Sequence, residues 1–456
     1  MLDEAWWHQG RILCRQAQTK GSTGGALTSL GGLLRRAVRA LLLGQSQIVL
    51  HSRVPCLQDR LDGIEELGLY LHIPFCRQIC PYCPYNKELY RPGVASEYVQ
   101  AVKREIDSYS PLLGQTPITS FYIGGGTPTT MLHSGLEEIL EHVFRTFNIQ
   151  CGIHMESHPN DLGQKNLGVI TSLGVEHLSL GVEALQDRHL RTLGRPYSAA
   201  QAREAVERAT AAGFECVNAD MIFALPGQTL NEVEQTGREL VDLGVDQVAA
   251  YPLFTFPYTE RGRGSQADGS NNRGLLRRRQ MLGVLERVFD AAGYERTSVW
   301  AFTRPGVPKY CSVTVPLYLG LGASAGSYLR DVFYLNTFHV REYIGALQEG
   351  RMPVALSLEL SETMQMAGWL YWRIYETRFK KSDFQRRFGR PFDAIYGRYF
   401  RPLSWLGLLS DDGDEVVLSP EGAYWLHVLE DLFSVQYVGQ LWGVSQREPW
   451  PERVAL

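Results

Sequence analysis

From residue 66 to about residue 253 the hydrophobic pattern alternates between two periods. Strand-like runs occur at "LGLYLHI" (67–73), "ITSFYI" (118–123), "CGIHMES" (151–157), "HLSLGV" (177–182), "FECVNADMIF" (214–223) and "VDQVAAYPL" (245–253). Helical runs stand between them: "ASEYVQAVKREIDSY", "SGLEEILEHVFRTF", "AAQAREAVERATAAG" and "LNEVEQTGRELVDLG". Strands that alternate with helices form parallel βα units. Six such strands predict an α/β fold, a partial (β/α)6 barrel. In barrels of this kind the chemistry sits where the strands end, at their C-terminal side.

The rest of the chain is divided around that core. Residues 1–64 read as an N-terminal extension with an amphipathic helix, in which Leu30, Leu34, Ala37, Val38 and Leu41 share one face and Arg35, Arg36 and Arg39 lie elsewhere. Such a helix docks on the main domain or rests on a membrane surface. Residues 65–290 form the core and 291–355 extend the barrel. Residues 356–456 form a small C-terminal helical domain of winged-helix type. "RGRGSQADGSNNRG" (261–274) reads as a loop. A net charge of −4 and the acidic "DDGDE" at the expected wing give no support to a nucleic-acid partner. No apolar run has membrane-spanning length and no signal-peptide pattern opens the chain, so a cytoplasmic, thiol-reducing location is expected.

Cys76, Cys80 and Cys83 stand in "FCRQICPYCPYNK", directly after the first strand. Iron–sulfur clusters are held by cysteine thiolates. Three thiolates on a four-iron cubane leave one iron open to a chelating ligand, and S-adenosylmethionine offers an amino and a carboxylate group for it. A zinc site is the alternative, with Cys56 or His72 as fourth ligand. One βα unit later, "YIGGGTPT" (122–129) places Gly124, Gly125 and Gly126 at a strand end, where backbone can approach a ligand closely. It is no P-loop, since no Gly-Lys-Ser/Thr follows. Glu156 ends the next strand. Asp220 lies among "MIFAL", where an unpaired carboxylate is costly. It reads as a hydrogen-bond anchor or a ligand contact. Arg195 can fork onto a ligand carboxylate. Tyr82 can pack on an adenine ring.

Together these stretches resemble the radical S-adenosylmethionine (SAM) superfamily, and more closely the oxygen-independent coproporphyrinogen III oxidase (HemN-like) family. The matching pieces are "YLHIPFCRQICPYC", "FYIGGGTPT", "MESHPND", "HLSLGVEALQDRHLRTLGRPYS", "NADMIFALPGQT" and "YLGLGASAGS", over residues 70 to about 330. The resemblance implies that Cys76, Cys80 and Cys83 ligate a [4Fe-4S] cluster. It places Tyr70, Tyr82, Gly125, Gly126, Thr127, Glu156, Glu183, Arg195 and Asp220 at S-adenosylmethionine. Phe254 and Leu329 fall near positions for a second S-adenosylmethionine. Some features depart from the family. Glu183 replaces a usual glutamine, "PYNK" follows Cys83, and "KYCSVT" stands where the heme-chaperone branch has histidine-asparagine and an aromatic.

The resemblance implies three readings. The first is coproporphyrinogen-type oxidative decarboxylation in porphyrin biosynthesis, for which Arg77, Arg91, Arg304 and Arg330 are candidates to meet an anionic substrate. The second is class C radical methyl transfer to a quinone or heteroaromatic. The third is heme chaperoning. All three imply a flavodoxin or ferredoxin electron donor and anaerobic work. No residue is singled out as a general catalyst.

Overall fold

The computed structural model describes residues 48–264, 272–309 and 316–456. The amphipathic helix expected near Arg35, residues 265–271 of the expected 261–274 loop and most of "KYCSVT" lie outside these residues; the two ends of that loop are helical instead, in Glu260–Gly264 and Asn272–Ala291.

Six parallel strands lie side by side: β1 (Leu67–Ile73), β2 (Pro117–Gly125), β3 (Ile153–Ser157), β4 (Val175–Glu183), β5 (Cys216–Phe223) and β6 (Gln247–Pro252). The connecting helices are α1 (Pro92–Leu113), α2 (Leu136–Thr146), α3 (Gln164–Ser172), α4 (Ala199–Thr210) and α5 (Leu230–Asp242), followed by α6 (Asn272–Ala291). Their starts are written in the sequence. Pro92 opens α1, and Ser198 with Gln201 and Thr229 with Glu232 form reciprocal capping boxes on α4 and α5.

Beyond β6 the sheet continues antiparallel with β7 (Ala301–Thr303). On the other side of β1 it continues with β8 (Tyr318–Leu321), parallel, then β9 (Gly326–Leu329), β10 (Val332–Asn336) and β11 (Val354–Glu359), all antiparallel. The described strands form an open path, so the barrel is partial, as its sequence rhythm predicts. Two pieces of the sheet were not legible. Val49–His51, inside the expected extension, pairs with β11, and Arg453–Ala455 returns from the C-terminal domain to pair with it. Three-residue strands carry too little pattern to read.

Alternation divides each barrel strand. Leu69, Ile123, Met155, Leu178 and Ala219 are buried on one face. The other face carries Tyr70, Tyr122, Glu156, Ser179, Asn218 and Asp220, joined across neighbouring strands by pairing and hydrogen bonds. The barrel therefore encloses polar side chains. α7 (Val340–Gln348) packs on α1. Between them Glu105, fully buried, accepts hydrogen bonds from Gly322 N (2.7 Å), Asn336 Nδ2 (2.7 Å) and Tyr343 Oη (2.6 Å). Burial pushes its carboxyl up to about 7.

The C-terminal region has winged-helix order. α8 (Glu362–Tyr375) leads to β12 (Arg378–Lys380), then α9 (Lys381–Phe388), α10 (Gly397–Trp405), the hairpin β13 (Leu409–Asp411) and β14 (Glu415–Leu418), and α11 (Pro420–Ser445). The acids at the hairpin turn are internal ties. Asp414 accepts from Ser382 N (2.9 Å) and Oγ (3.1 Å) at the start of α9, and Asp411 pairs with Lys381 (2.7 Å).

Glu105→Ala would strand three donors in the core. It is expected to cost on the order of 3 kcal/mol in chemical denaturation, a loss typical of breaking a buried polar cluster.

Candidate functional site

The site is built at the C-terminal ends of β1 to β6. The chain leaving β1 turns at Pro74, and Phe75–Cys76 pairs with Glu88–Leu89, which closes the cysteine loop at its base. Within the loop Cys83 N donates to Cys80 O (3.2 Å) and Lys87 Nζ to Cys83 O (2.5 Å). Cys76, Cys80 and Cys83 carry free thiols, and the other two lie close enough to Cys76 to raise its proton affinity. Burial is the main cause, and it pushes Cys76 up to about 11 and Cys83 up as well. Thr127 Oγ1 donates to Cys76 Sγ and Arg195 Nη1 to Cys80 Sγ, each at 3.4 Å. Three converging sulfurs with donors already aimed at two of them suit thiolate ligands of iron.

Neither residue suggested as a fourth zinc ligand is free to serve. Both nitrogens of buried His72 are engaged, Nδ1 with Tyr70 Oη (2.8 Å) and Nε2 with Asn86 O (3.0 Å). Cys56 is exposed and bonds Asp59 (3.4 Å).

The glycine run folds back over the start of that loop. Gly126 N donates to Ile73 O (2.8 Å) and Thr127 N to Phe75 O (2.9 Å). A Cβ on Gly126 would come within 2.9 Å of Phe75 backbone, and one on Gly125 (φ +117°) within 2.6 Å of the His72 ring. Only glycine allows this approach.

Glu156 accepts from Gly125 N (3.0 Å) and Tyr122 Oη (2.8 Å). Asp220 accepts from Ser179 Oγ (2.9 Å) and Asn218 Nδ2 (2.9 Å). Glu183 sits at φ +63°, a left-handed conformation that costs a residue with a side chain about 1–2 kcal/mol. There its carboxylate meets Arg195 Nη2 at 2.7 Å and also takes a hydrogen bond from Tyr82. Arg195 also donates to Gly181 O (2.7 Å) and Tyr197 Oη (2.9 Å). Burial, reinforced by Glu183 and Glu156, pushes Asp220 up to about 8. Glu183 and Glu156 are likewise raised, chiefly by burial.

Cys76, Cys80, Cys83, Tyr70, Tyr82, Gly125, Gly126, Thr127, Glu156, Glu183, Arg195 and Asp220 are thus placed around one end of the barrel. Phe254 follows β6 at that end, beside Phe256 and Trp300. Leu329 is not brought there. β9 runs antiparallel to β8, so its last residue returns to the opposite end of the sheet and is fully buried. Of the four arginines proposed for an anionic substrate, three are paired with acids and the fourth lies in a distant turn. Arg77 pairs with Asp161 and Arg91 with Glu88, while Arg304 holds Asp246 and Tyr294 below β6. Arg330 lies in the β9–β10 turn near Gly63.

Sequence reading missed the supports Tyr122, Ser179, Tyr197 and Asn218, and took His72, which braces Tyr70 and Asn86, for a possible metal ligand. Asn218 and Asp220 share a strand face, two residues apart, and that spacing was the available signal. It also missed an aromatic chain beside the cysteine loop. Trp442 on α11 stands 6.3 Å from Tyr85, 6.2 Å from Tyr258 and 5.9 Å from Phe338, ring to ring. Phe256 continues the chain at 5.7 Å from Tyr258.

Residues 70–240 match the radical SAM superfamily. The heme chaperone HemW of Bacillus subtilis is 26% identical over 360 residues, covering 77% of this chain and 95% of that one. The oxygen-independent coproporphyrinogen III oxidase of Pseudomonas aeruginosa is 25% identical over 401 residues, covering 80% and 85%. The structure of coproporphyrinogen III oxidase (HemN) from Escherichia coli superposes with a TM-score of 0.73 at 20% identity, covering 86% of this chain and 94% of that one, a likeness of fold. These likenesses support a HemN-like radical SAM family for the chain. That family implies a [4Fe-4S] cluster and S-adenosylmethionine, and the cysteine loop fits the cluster. Among the described residues no helix is long and apolar enough to cross a membrane.

Gly126→Ala is expected to push the glycine turn off the cysteine loop and lower iron per chain at least about twofold after anaerobic reconstitution. Gly163→Ala, where a Cβ meets open space, should leave iron content unchanged.

Proposed function

We propose that this HemN-like protein reductively cleaves S-adenosylmethionine and acts on a flat, conjugated tetrapyrrole. Cys76, Cys80 and Cys83 would hold the [4Fe-4S] cluster, which when bound supplies the electron that breaks the sulfonium bond. The other roles belong to the chain's own residues. Gly125, Gly126 and Glu156 would orient the ligand's ammonium group. Arg195 would take its carboxylate while holding Cys80. Glu183 and Asp220 would bind the ribose hydroxyls and, with Glu156, offset the sulfonium charge. Tyr70, Tyr82 and Thr127 would line the same space. Phe254, near the aromatic wall, suits a second S-adenosylmethionine or the substrate's edge. The small-molecule substrate and a flavodoxin- or ferredoxin-type donor follow from the same chemistry.

The aromatic wall of Tyr85, Tyr258, Phe338 and Trp442 carries the substrate reading. Tyr85 is about half exposed (52%), so its ring has a face to offer. Aromatic faces stack on planar conjugated rings. A porphyrinogen is puckered and bears several carboxylates, while Arg77, Arg91 and Arg304 are paired with acids and Arg330 lies in the β9–β10 turn. A planar porphyrin such as heme suits this wall better. The relatives' names, heme chaperone and coproporphyrinogen oxidase, both concern tetrapyrroles.

Anaerobic reconstitution, dithionite and methyl-labelled S-adenosylmethionine with heme test the proposal. 5′-Deoxyadenosine formation and loss of the heme absorbance are expected. Label in the product assigns methyl transfer, and its absence assigns oxidation. Heme bound but unchanged would leave a carrier and sink the enzymatic reading. Cys80→Ala should abolish both iron loading and S-adenosylmethionine cleavage.

A second outcome concerns pH. Burial, with Glu183 and Glu156 nearby, lets Asp220 keep its proton up to about 8. A cationic ligand favours the ionised form, so binding releases that proton. Affinity for S-adenosylmethionine should therefore rise as pH increases toward 8, by at most about tenfold per unit, and level off above it. Asp220→Asn should flatten the profile.

A further inference from the structure

The end of the barrel away from the cysteines carries a second group of ligand-type side chains. His177 is the third residue of β4 and is buried, 5% exposed. Its Nδ1 has no hydrogen-bond partner. Its Nε2 stands 3.7 Å from Glu215 Oε2, too long for a hydrogen bond. Glu176 precedes it, and Glu215 N donates to Glu176 O (2.8 Å), which holds the two acidic residues side by side. One ligand atom from each of Glu176, His177 and Glu215 lies within 4.8 Å of the others. Among the described residues no lysine or arginine pairs with either carboxylate. The His177 ring is fixed in its plane by His154, its partner on β3, stacked at 3.9 Å and 19°.

We propose that Glu176, His177 and Glu215 bind one divalent transition cation of the zinc class. Two neighbouring carboxylates without a cation are repulsive, and the buried imidazole's Nε2 meets Glu215 only at 3.7 Å. One ion relieves both. Zinc binds His nitrogen and carboxylate oxygen at about 2.0–2.2 Å, so two ligands of one ion stand roughly 3–3.7 Å apart, close to the His177–Glu215 separation. The imidazole selects against magnesium and calcium, which take oxygen ligands. The site joins the starts of β4 and β5 at the barrel end where side chains serve stability rather than chemistry. The ion is therefore a structural clamp, independent of the radical site.

The test is zinc titration of the anaerobically reconstituted full chain, its cysteines occupied by iron–sulfur cluster, against a chromophoric zinc chelator. Wild type should take up one equivalent, and zinc should raise its melting temperature. Glu215→Gln changes an exposed side chain and should fold normally. It should bind zinc at least about tenfold more weakly and lose the thermal shift. His177→Ala should bind none at this affinity, and Cys80→Ala should retain the equivalent. No zinc uptake by wild type, uptake unchanged in Glu215→Gln, or uptake lost in Cys80→Ala would each overturn the proposal.

Discussion

Three carboxylates and one guanidinium share the mouth of this barrel, and the rest of the site is arranged around that imbalance. Glu156, Glu183 and Asp220 face an interior where charge is poorly screened, and Arg195 neutralises only one of them directly. The surroundings offset part of the cost with neutral donors: Tyr122 and a backbone amide for Glu156, Ser179 and Asn218 for Asp220, Tyr82 for Glu183. Protons meet the rest: burial, reinforced by the neighbouring acids, keeps Asp220 protonated up to about 8 and raises Glu156 and Glu183. A ligand with a sulfonium and an ammonium against one carboxylate would take the place of those protons.

The backbone makes the same commitment. Glu183 holds a left-handed conformation and so does Ala224, each at or just past the end of a barrel strand, and Gly125 adopts a positive φ that brings it against His72. Strain of this kind persists only where surrounding contacts over-determine it. Here Arg195 fixes Glu183, and the Gly126–Ile73 and Thr127–Phe75 hydrogen bonds fix the glycine turn. Arg195 links the two halves, since the same side chain that holds Glu183 donates to Cys80. Acids and cysteines are therefore positioned together.

The βα rhythm was legible because parallel strands and amphipathic helices leave long periodic traces, and the cysteine spacing because it is compact. The aromatic wall was not. Tyr85, Tyr258, Phe338 and Trp442 are separated by up to hundreds of residues and carry no shared local pattern, so only folding brings their rings together. Leu329 was misplaced for the opposite reason. Its neighbourhood in the sequence resembles the family, yet the hairpin reverses and carries it away from the mouth. Arg77, Arg91 and Arg304 looked available because a sequence does not reveal which acid each will meet. The acidic hairpin turn, read as repelling nucleic acid, proves to be tied to Lys381 and Ser382.

The carboxylates of the mouth would favour a positively charged sulfur, and that preference is measurable. It is tested most directly by comparing, on the reconstituted protein, the affinities of S-adenosylmethionine and S-adenosylhomocysteine, which differ by one methyl group and the sulfonium charge. At least about tenfold tighter binding of the sulfonium compound is expected, a difference of roughly 1.4 kcal/mol. Equal affinities, or tighter binding of the neutral thioether, would contradict it.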